Sequence, residues 1–239
     1  MHLADQLKSF YKNLSIPDVP DGIEVLHPQK LDDVVAITST FFDKYYSDSN
    51  PRQLLFGINP GRFGAGTTGI NFTAPRQLKQ QLCIEHTFKD QSELSAEFIY
   101  EMINQYGGPA RFYGDFFLTS VCPLGFTKNG KNLNYYDDAN LAKTLEPYIV
   151  DSIKQQIEIF QPGRKCICIG GEKNFKYLNN LNEKHKFFDE IIPVAHPRFI
   201  LQYRRKQKDS FLLEYASALK ELKKLEEVKE VKEASHHTQ

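Results

Sequence analysis

The residues best suited to chemistry in this 239-residue chain are a glycine-rich loop around Asn59, a polar loop around Asn132, and His196-Pro197 with the basic, aromatic stretch behind it. The first of these follows Leu54–Ile58, a short apolar run that reads as a buried strand. The run stops at Asn59-Pro60-Gly61, where Pro60 cannot extend a central strand and Gly61 permits a positive φ or a close approach by another molecule. Gly64, Gly66 and Gly69 come next. A glycine-rich loop leaving the carboxyl end of a buried strand is where open α/β sheets bind ligands. Two phosphate-binding templates come close and fail. Gly64 to Gly69 spells G-x-G-x-x-G, but Asn59 to Phe63 intervene between the strand and the motif, which must sit on the strand-to-helix turn itself. Gly61 to Thr68 resembles a P-loop, yet Thr67 stands where the phosphate-binding lysine is needed.

The elements that must position these residues alternate in type. Apolar spacing predicts helices over residues 2–14 and 31–46, joined by a Pro-rich linker from Ile16 to Gly22. Pro75 suits the first turn of a helix running to about Ile84, and Leu94 to Gln105 is another, stopped by Gly107-Gly108-Pro109. Further strands are expected over Asp115–Val121, Lys165–Ile169 and Ile191–Ala195. Thr127–Asn134 reads as a polar loop, Asp137–Phe160 as a helix broken or kinked at Pro147, and 171–186 and 211–225 as helices. Four strand–helix alternations imply a three-layer α/β/α sandwich around a four-stranded parallel sheet. Residues 1–50 form a helical segment packed on that domain (51–225), and 226–239 a flexible charged tail.

Composition narrows the function classes. Lys+Arg and Asp+Glu balance at 30 each, which argues against a strongly basic coat but not against a local basic patch. The aromatic fraction of 13% is Phe and Tyr without Trp, serving equally as core or as base-stacking platforms. No apolar run reaches the ~18–20 residues of a membrane span, and the N-terminus lacks a secretory apolar region, so the expected setting is a cytoplasm. Cys83, Cys122, Cys166 and Cys168 contain no C-x-x-C pair and fit neither zinc nor iron–sulfur spacing; buried free thiols are the expectation, with no metal or other cofactor.

Three polar stretches thus follow three strands: Asn59-Pro60-Gly61, Asn129 to Leu133, and His196-Pro197. In this order they resemble the uracil-DNA glycosylase superfamily, and are most similar to its single-strand-selective monofunctional members of bacterial type. The first family motif is matched by Gly57-Ile58-Asn59-Pro60-Gly61, Phe63-Gly64, Thr68-Gly69 and Phe72, the second by His196-Pro197. Cys122-Pro123-Leu124 and Gly130 to Leu133 lie between them, so the likeness spans Leu54 to Arg205. The resemblance implies that Asn59 positions the attacking water and that His196 donates a hydrogen bond to the departing uracil anion. It further implies that Phe72 stacks on the flipped base, that Asn132 reads its edge, and that Ile58, Gly61 and Phe63 complete the pocket. Backbone N–H groups of the Pro60–Phe63 turn could help hold the base oxygens.

The partner implied is uracil-containing DNA, single- or double-stranded, bound by a monomer as the default state. Reaching a stacked base requires flipping it out. Arg198, Arg204 and Arg205 interleave with Phe199, Leu201 and Tyr203, which suits a wedge with phosphate contacts. Any of the three apolar residues can be the wedge. Arg62 either touches a phosphate or restricts the base's 5-position, so 5-hydroxymethyluracil, hypoxanthine and xanthine stay open as substrates. Taken singly, Asn59-Pro60-Gly61 and Asn132 are ordinary turn chemistry, Phe72 a core residue, and the Arg204–Lys208 run a solvated face. Their joint order favours an enzyme over a non-catalytic nucleic-acid or nucleotide-binding module of the same fold.

Overall fold

The computed structural model describes the backbone of residues 1–236 and the side chains of residues 1–223. In chain order α1 (Leu3–Lys12), β1 (Ile23–Leu26) and α2 (Asp32–Tyr45) precede the first central strand, β2 (Gln53–Gly57). Then come α3 (Ala65–Thr68), α4 (Pro75–Gln80), α5 (Leu94–Tyr106) and α6 (Pro109–Asp115). β3 (Phe116–Ser120), β4 (Gly125–Lys128), β5 (Lys131–Leu133) and α7 (Ala139–Phe160) follow. The chain closes with β6 (Lys165–Ile169), α8 (Gly171–His185), β7 (Glu190–Val194), α9 (Pro197–Tyr203) and α10 (Lys208–His236).

The central sheet has the order β3-β2-β6-β7, every neighbouring pair parallel, with Leu54 opposite Phe117 and Leu55 opposite Ile167. Helices flank it, as the strand–helix alternation implied. All residues of β2 and β3 are buried, which explains their continuous apolar runs. From β2 the chain moves to β3 on one side and later to β6 on the other. The strand order therefore reverses between β2 and β6, and a crevice opens at their carboxyl ends. Asn59 leaves one of those ends and His196 leaves the end of β7. α1 and α2 share the core of the sheet: Tyr11 stacks on Phe42 with ring centroids 5.6 Å apart, and the Tyr46 hydroxyl donates to the Phe116 carbonyl at 3.1 Å.

Several local expectations are corrected. Thr127–Asn134 is not a loop: β4 and β5 form an antiparallel hairpin, joined to β1 in a second, three-stranded sheet. Its two-residue turn is Asn129-Gly130, with φ of 52° and 69°, the left-handed pair that matches strand twist. α7 runs unbroken through Pro147, which is exposed, as is Lys143, whose carbonyl loses its helical partner and can be taken by water. β1 emerges directly after the Pro-rich linker, and α6 begins at the Pro109 that ends the preceding turn. α4 stops at Gln80, short of Ile84. α10 continues to His236 through most of the segment expected to be a frayed tail; the side chains from 224 on lie outside the described residues. Cys122, Cys166 and Cys168 are buried, but Cys83 is exposed. Among the described residues no helix is long and apolar enough to cross a membrane.

Candidate active site

A cavity of about 650 Å³ opens at the carboxyl edge of the central sheet, lined by Asn59, Phe72, Asn132 and His196 together with Ile58, Gly61 and Phe63. Asn59 leaves β2 just beyond Gly57 and is held from the opposite side of the crevice. Its Oδ1 accepts from the Tyr135 N–H at 3.1 Å, and its Nδ2 donates to the Leu133 carbonyl at 3.3 Å and more weakly to that of Pro60 at 3.4 Å. Tyr135 is itself fixed: wholly buried, it donates its hydroxyl to Asn174 Oδ1 at 2.7 Å. Asn174 Nδ2 in turn donates to the Gly57 carbonyl at 3.2 Å. The amide orientation follows from these partners, and Oδ1 keeps a second lone pair beyond the one that Tyr135 uses.

His196 ends the stretch after β7 and caps α9. Its Nδ1 accepts from the Arg198 backbone N–H at 3.1 Å, and Pro197 occupies the first helical position, where its missing N–H costs nothing. An amide N–H can only donate, so Nδ1 is unprotonated and the ring proton of the neutral imidazole sits on Nε2. Burial, and secondarily the Arg198 charge, push the His196 pKa down to about 4. The ring is therefore a neutral Nε2–H donor at physiological pH.

Phe72 lies near His196, ring centroids 6.2 Å apart. It holds a positive φ of 54°, unusual for an aromatic residue and costly unless the surroundings impose it. They do: on one side Asn71 Oδ1 accepts from the Ser120 hydroxyl at 2.5 Å, on the other Thr73 bonds the Tyr100 hydroxyl at 2.9 Å. The ring crosses Gly57 so closely that a Cβ there would come within 2.9 Å of Cε2 and Cζ. Gly57→Ala should therefore displace the ring and, if the ring stacks on substrate, weaken kcat/KM by about tenfold, near the low end of aromatic–base stacking. Steady-state kinetics would check it, and an unchanged kcat/KM would show that the ring position does not matter.

Asn132 sits on β5, opposite Thr127. Its Oδ1 accepts from the Arg62 N–H at 3.2 Å, which leaves Nδ2 as the free donor; a Cβ on Gly61 would meet that nitrogen at 3.3 Å. The Arg62 guanidinium turns away, bonding the Gly130 carbonyl and lying 4.5 Å over the exposed Phe63 ring. Arg62 thus reaches the site through its backbone and is not among the residues lining the cavity.

The stretch behind His196, expected to supply a wedge with phosphate contacts, begins as a helix, because His196 caps it and Pro197 starts it. Arg198, Phe199 and Tyr203 line the mouth of the cavity, and the two aromatic rings lie 5.9 Å apart. Leu201 faces inward at 8% exposure, so its place as a wedge candidate is withdrawn. Arg204 and Arg205 are exposed beyond the helix end, Arg204 over the Phe199 ring at 5.6 Å, and neither lines the cavity. Tyr135, Asn174 and Glu93, a further wall residue, were not legible as site residues. No local motif marks them, and their partners are distant in sequence.

A sequence model of the Uracil DNA glycosylase superfamily matches residues 44–220. No curated protein sequence matches the chain. The crystal structure of wild-type SMUG2 from Pedobacter heparinus aligns with a TM-score of 0.90 at 41% identity, over 93% of this chain and 98% of that one. The matched span contains every strand of the parallel sheet and the residues reaching the cavity from β2, β5 and β7. By sequence and by structure together, this chain belongs to the uracil DNA glycosylase superfamily.

Proposed function

We propose that this protein removes uracil from DNA by hydrolysing its N-glycosidic bond, without a covalent enzyme intermediate. The observation that carries the reading is that one cavity is lined by both His196, a neutral donor of fixed tautomer, and Asn59, a fixed carboxamide. The Asn59 amide cannot accept a proton as a carboxylate does. The C1′–N1 bond therefore breaks largely before water adds, its electron pair moving to the uracil ring and onto O2. His196 Nε2–H meets that developing charge, while Asn59 Oδ1 orients the water that supplies the new C1′ oxygen. The water's proton passes to solvent or to the departing base.

Base recognition follows from the held Asn132. Its Nδ2 is a donor suited to uracil O4, and its Oδ1 keeps a lone pair for N3–H; cytosine presents the reverse pattern and would leave both unpaired. Phe72 supplies the stacking face. At the mouth, Phe199 or Tyr203 fills the space left by the flipped base and Arg198 contacts phosphate. No lysine lines the cavity among the described residues, which supports hydrolysis without an imine step.

The direct test is incubation with single- and double-stranded oligonucleotides carrying one uracil, followed by alkaline cleavage of abasic sites. Strand scission only after alkali, unaffected by chelator, is expected. Failure to release uracil from either substrate would refute the reading.

A further inference from the structure

Glu93 occupies the N-cap position of α5, where its side chain makes no capping bond. With extended backbone (φ −132°, ψ 153°) it turns instead into the cavity that holds His196, Asn132 and Phe72. Its carboxyl lies against the loop after β2, so closely that a Cβ on Gly64 would fall 2.3 Å from Oε1 and 2.7 Å from Cδ. Burial raises its pKa to about 7, with the Arg198 charge opposing the rise. The charged and titratable groups around it are few. Arg198 on α9 interacts with its charge, and Tyr203 of α9, Glu97 from the next turn of α5 and His196, neutral above about pH 4, line the same cavity. The Arg62 guanidinium, on the same loop as Gly64, is engaged with the Gly130 carbonyl.

A carboxylate in this wall would oppose a polyanion entering the cavity. We propose that Glu93 is a further substrate-facing residue that controls DNA entry by its protonation. As the neutral acid it admits the strand and donates a hydrogen bond to a phosphodiester oxygen; as the carboxylate it repels that oxygen. The inference rests on reading the cavity as a DNA glycosylase site. The proton balance is simple. Above the pKa of free Glu93, binding DNA takes up one proton from solvent and forms one O–H···O bond. Affinity is then flat well below pH 7 and falls as pH rises through it, by up to about tenfold per pH unit until the carboxyl ionises in the complex as well. Glu93→Gln keeps the shape and a donor but cannot ionise.

The experiment measures affinity for a single-stranded oligonucleotide carrying a tetrahydrofuran abasic analogue, by fluorescence anisotropy from pH 6 to 8.5 at constant salt. Wild type and Glu93→Gln are compared, with Tm at each pH. Wild-type affinity should fall about tenfold or more across the range, while Glu93→Gln stays flat and binds about tenfold tighter than wild type at pH 8.5. A merely structural role would change how Tm depends on pH and leave the two affinity profiles parallel. Parallel profiles, or a wild-type affinity independent of pH, would overturn the proposal. Because the probe undergoes no chemistry, these outcomes are separate from the uracil-release assay. A protein that releases uracil but shows parallel profiles sinks only the role of Glu93. One that binds as expected but never releases uracil sinks the functional reading.

Discussion

His196→Ala is expected to lower the single-turnover rate of uracil release about 10²–10³-fold, or about 2.7–4 kcal/mol, while changing DNA affinity little. The size follows from where the donor stands. The imidazole is neutral, its pKa held down to about 4 by burial, and its Nδ1 is occupied by the Arg198 N–H. Only Nε2–H remains to face the cavity, and it is preorganised, so no reorientation is needed as charge develops on the base. A neutral donor has a further consequence. Protonation of Nδ1 would break its bond to Arg198 and is confined to strongly acidic pH, so the His196-dependent part of the rate should be flat from pH 6 to 9. Ground-state binding does not use this donor fully, because the uracil carbonyl is only weakly basic before the bond breaks. A loss of less than about fivefold in the single-turnover rate, or a loss seen only in KM, would show that His196 does not stabilise the leaving base.

How much of this site was legible in the sequence depended on how local each signal was. β2, β3 and β6 stood out because strands buried on both faces read as apolar runs. The β4–β5 hairpin did not. Lys131 and Asn132 are exposed, so no apolar alternation marked the strand, although Asn129-Gly130 carried the turn signal. α9 was hidden by its brevity and by the basic residues that follow it, despite Pro197 at its first position. Asn59, Phe72, Asn132 and His196 were found through a family pattern of residue order. What holds them was not, since the Asn132 amide is oriented by Arg62 and the Asn59 amide by Tyr135, contacts spanning 70 and 76 positions. Glu93 was simply one of 30 acidic residues until Gly64 and the cavity gave it a place.

Asn59→Ala should reduce turnover about 10²-fold, comparable to the loss caused by misplacing a reacting group by about 1 Å. The water then loses the acceptor that orients it, and the Tyr135 N–H and Leu133 carbonyl lose their partner. That second effect should lower stability by about 1–3 kcal/mol, so Tm and activity must be read together. Asn59→Asp separates the two roles. One carboxyl oxygen can still accept from Tyr135, but the other takes the position of an amide that now donates to the carbonyls of Leu133 and Pro60. Oxygen facing oxygen favours the protonated acid, so the new carboxyl should titrate above the ordinary carboxylate range. Its acidic form holds the loop but cannot act as a base; its ionised form can. Asn59→Asp should therefore be poor at pH 6 and gain activity as pH rises, whereas Asn59→Ala stays low throughout. If Asn59→Ala turns over uracil at the wild-type rate, the water is positioned elsewhere. If Asn59→Asp shows no rise with pH, the two carbonyls do not govern the side chain at this position.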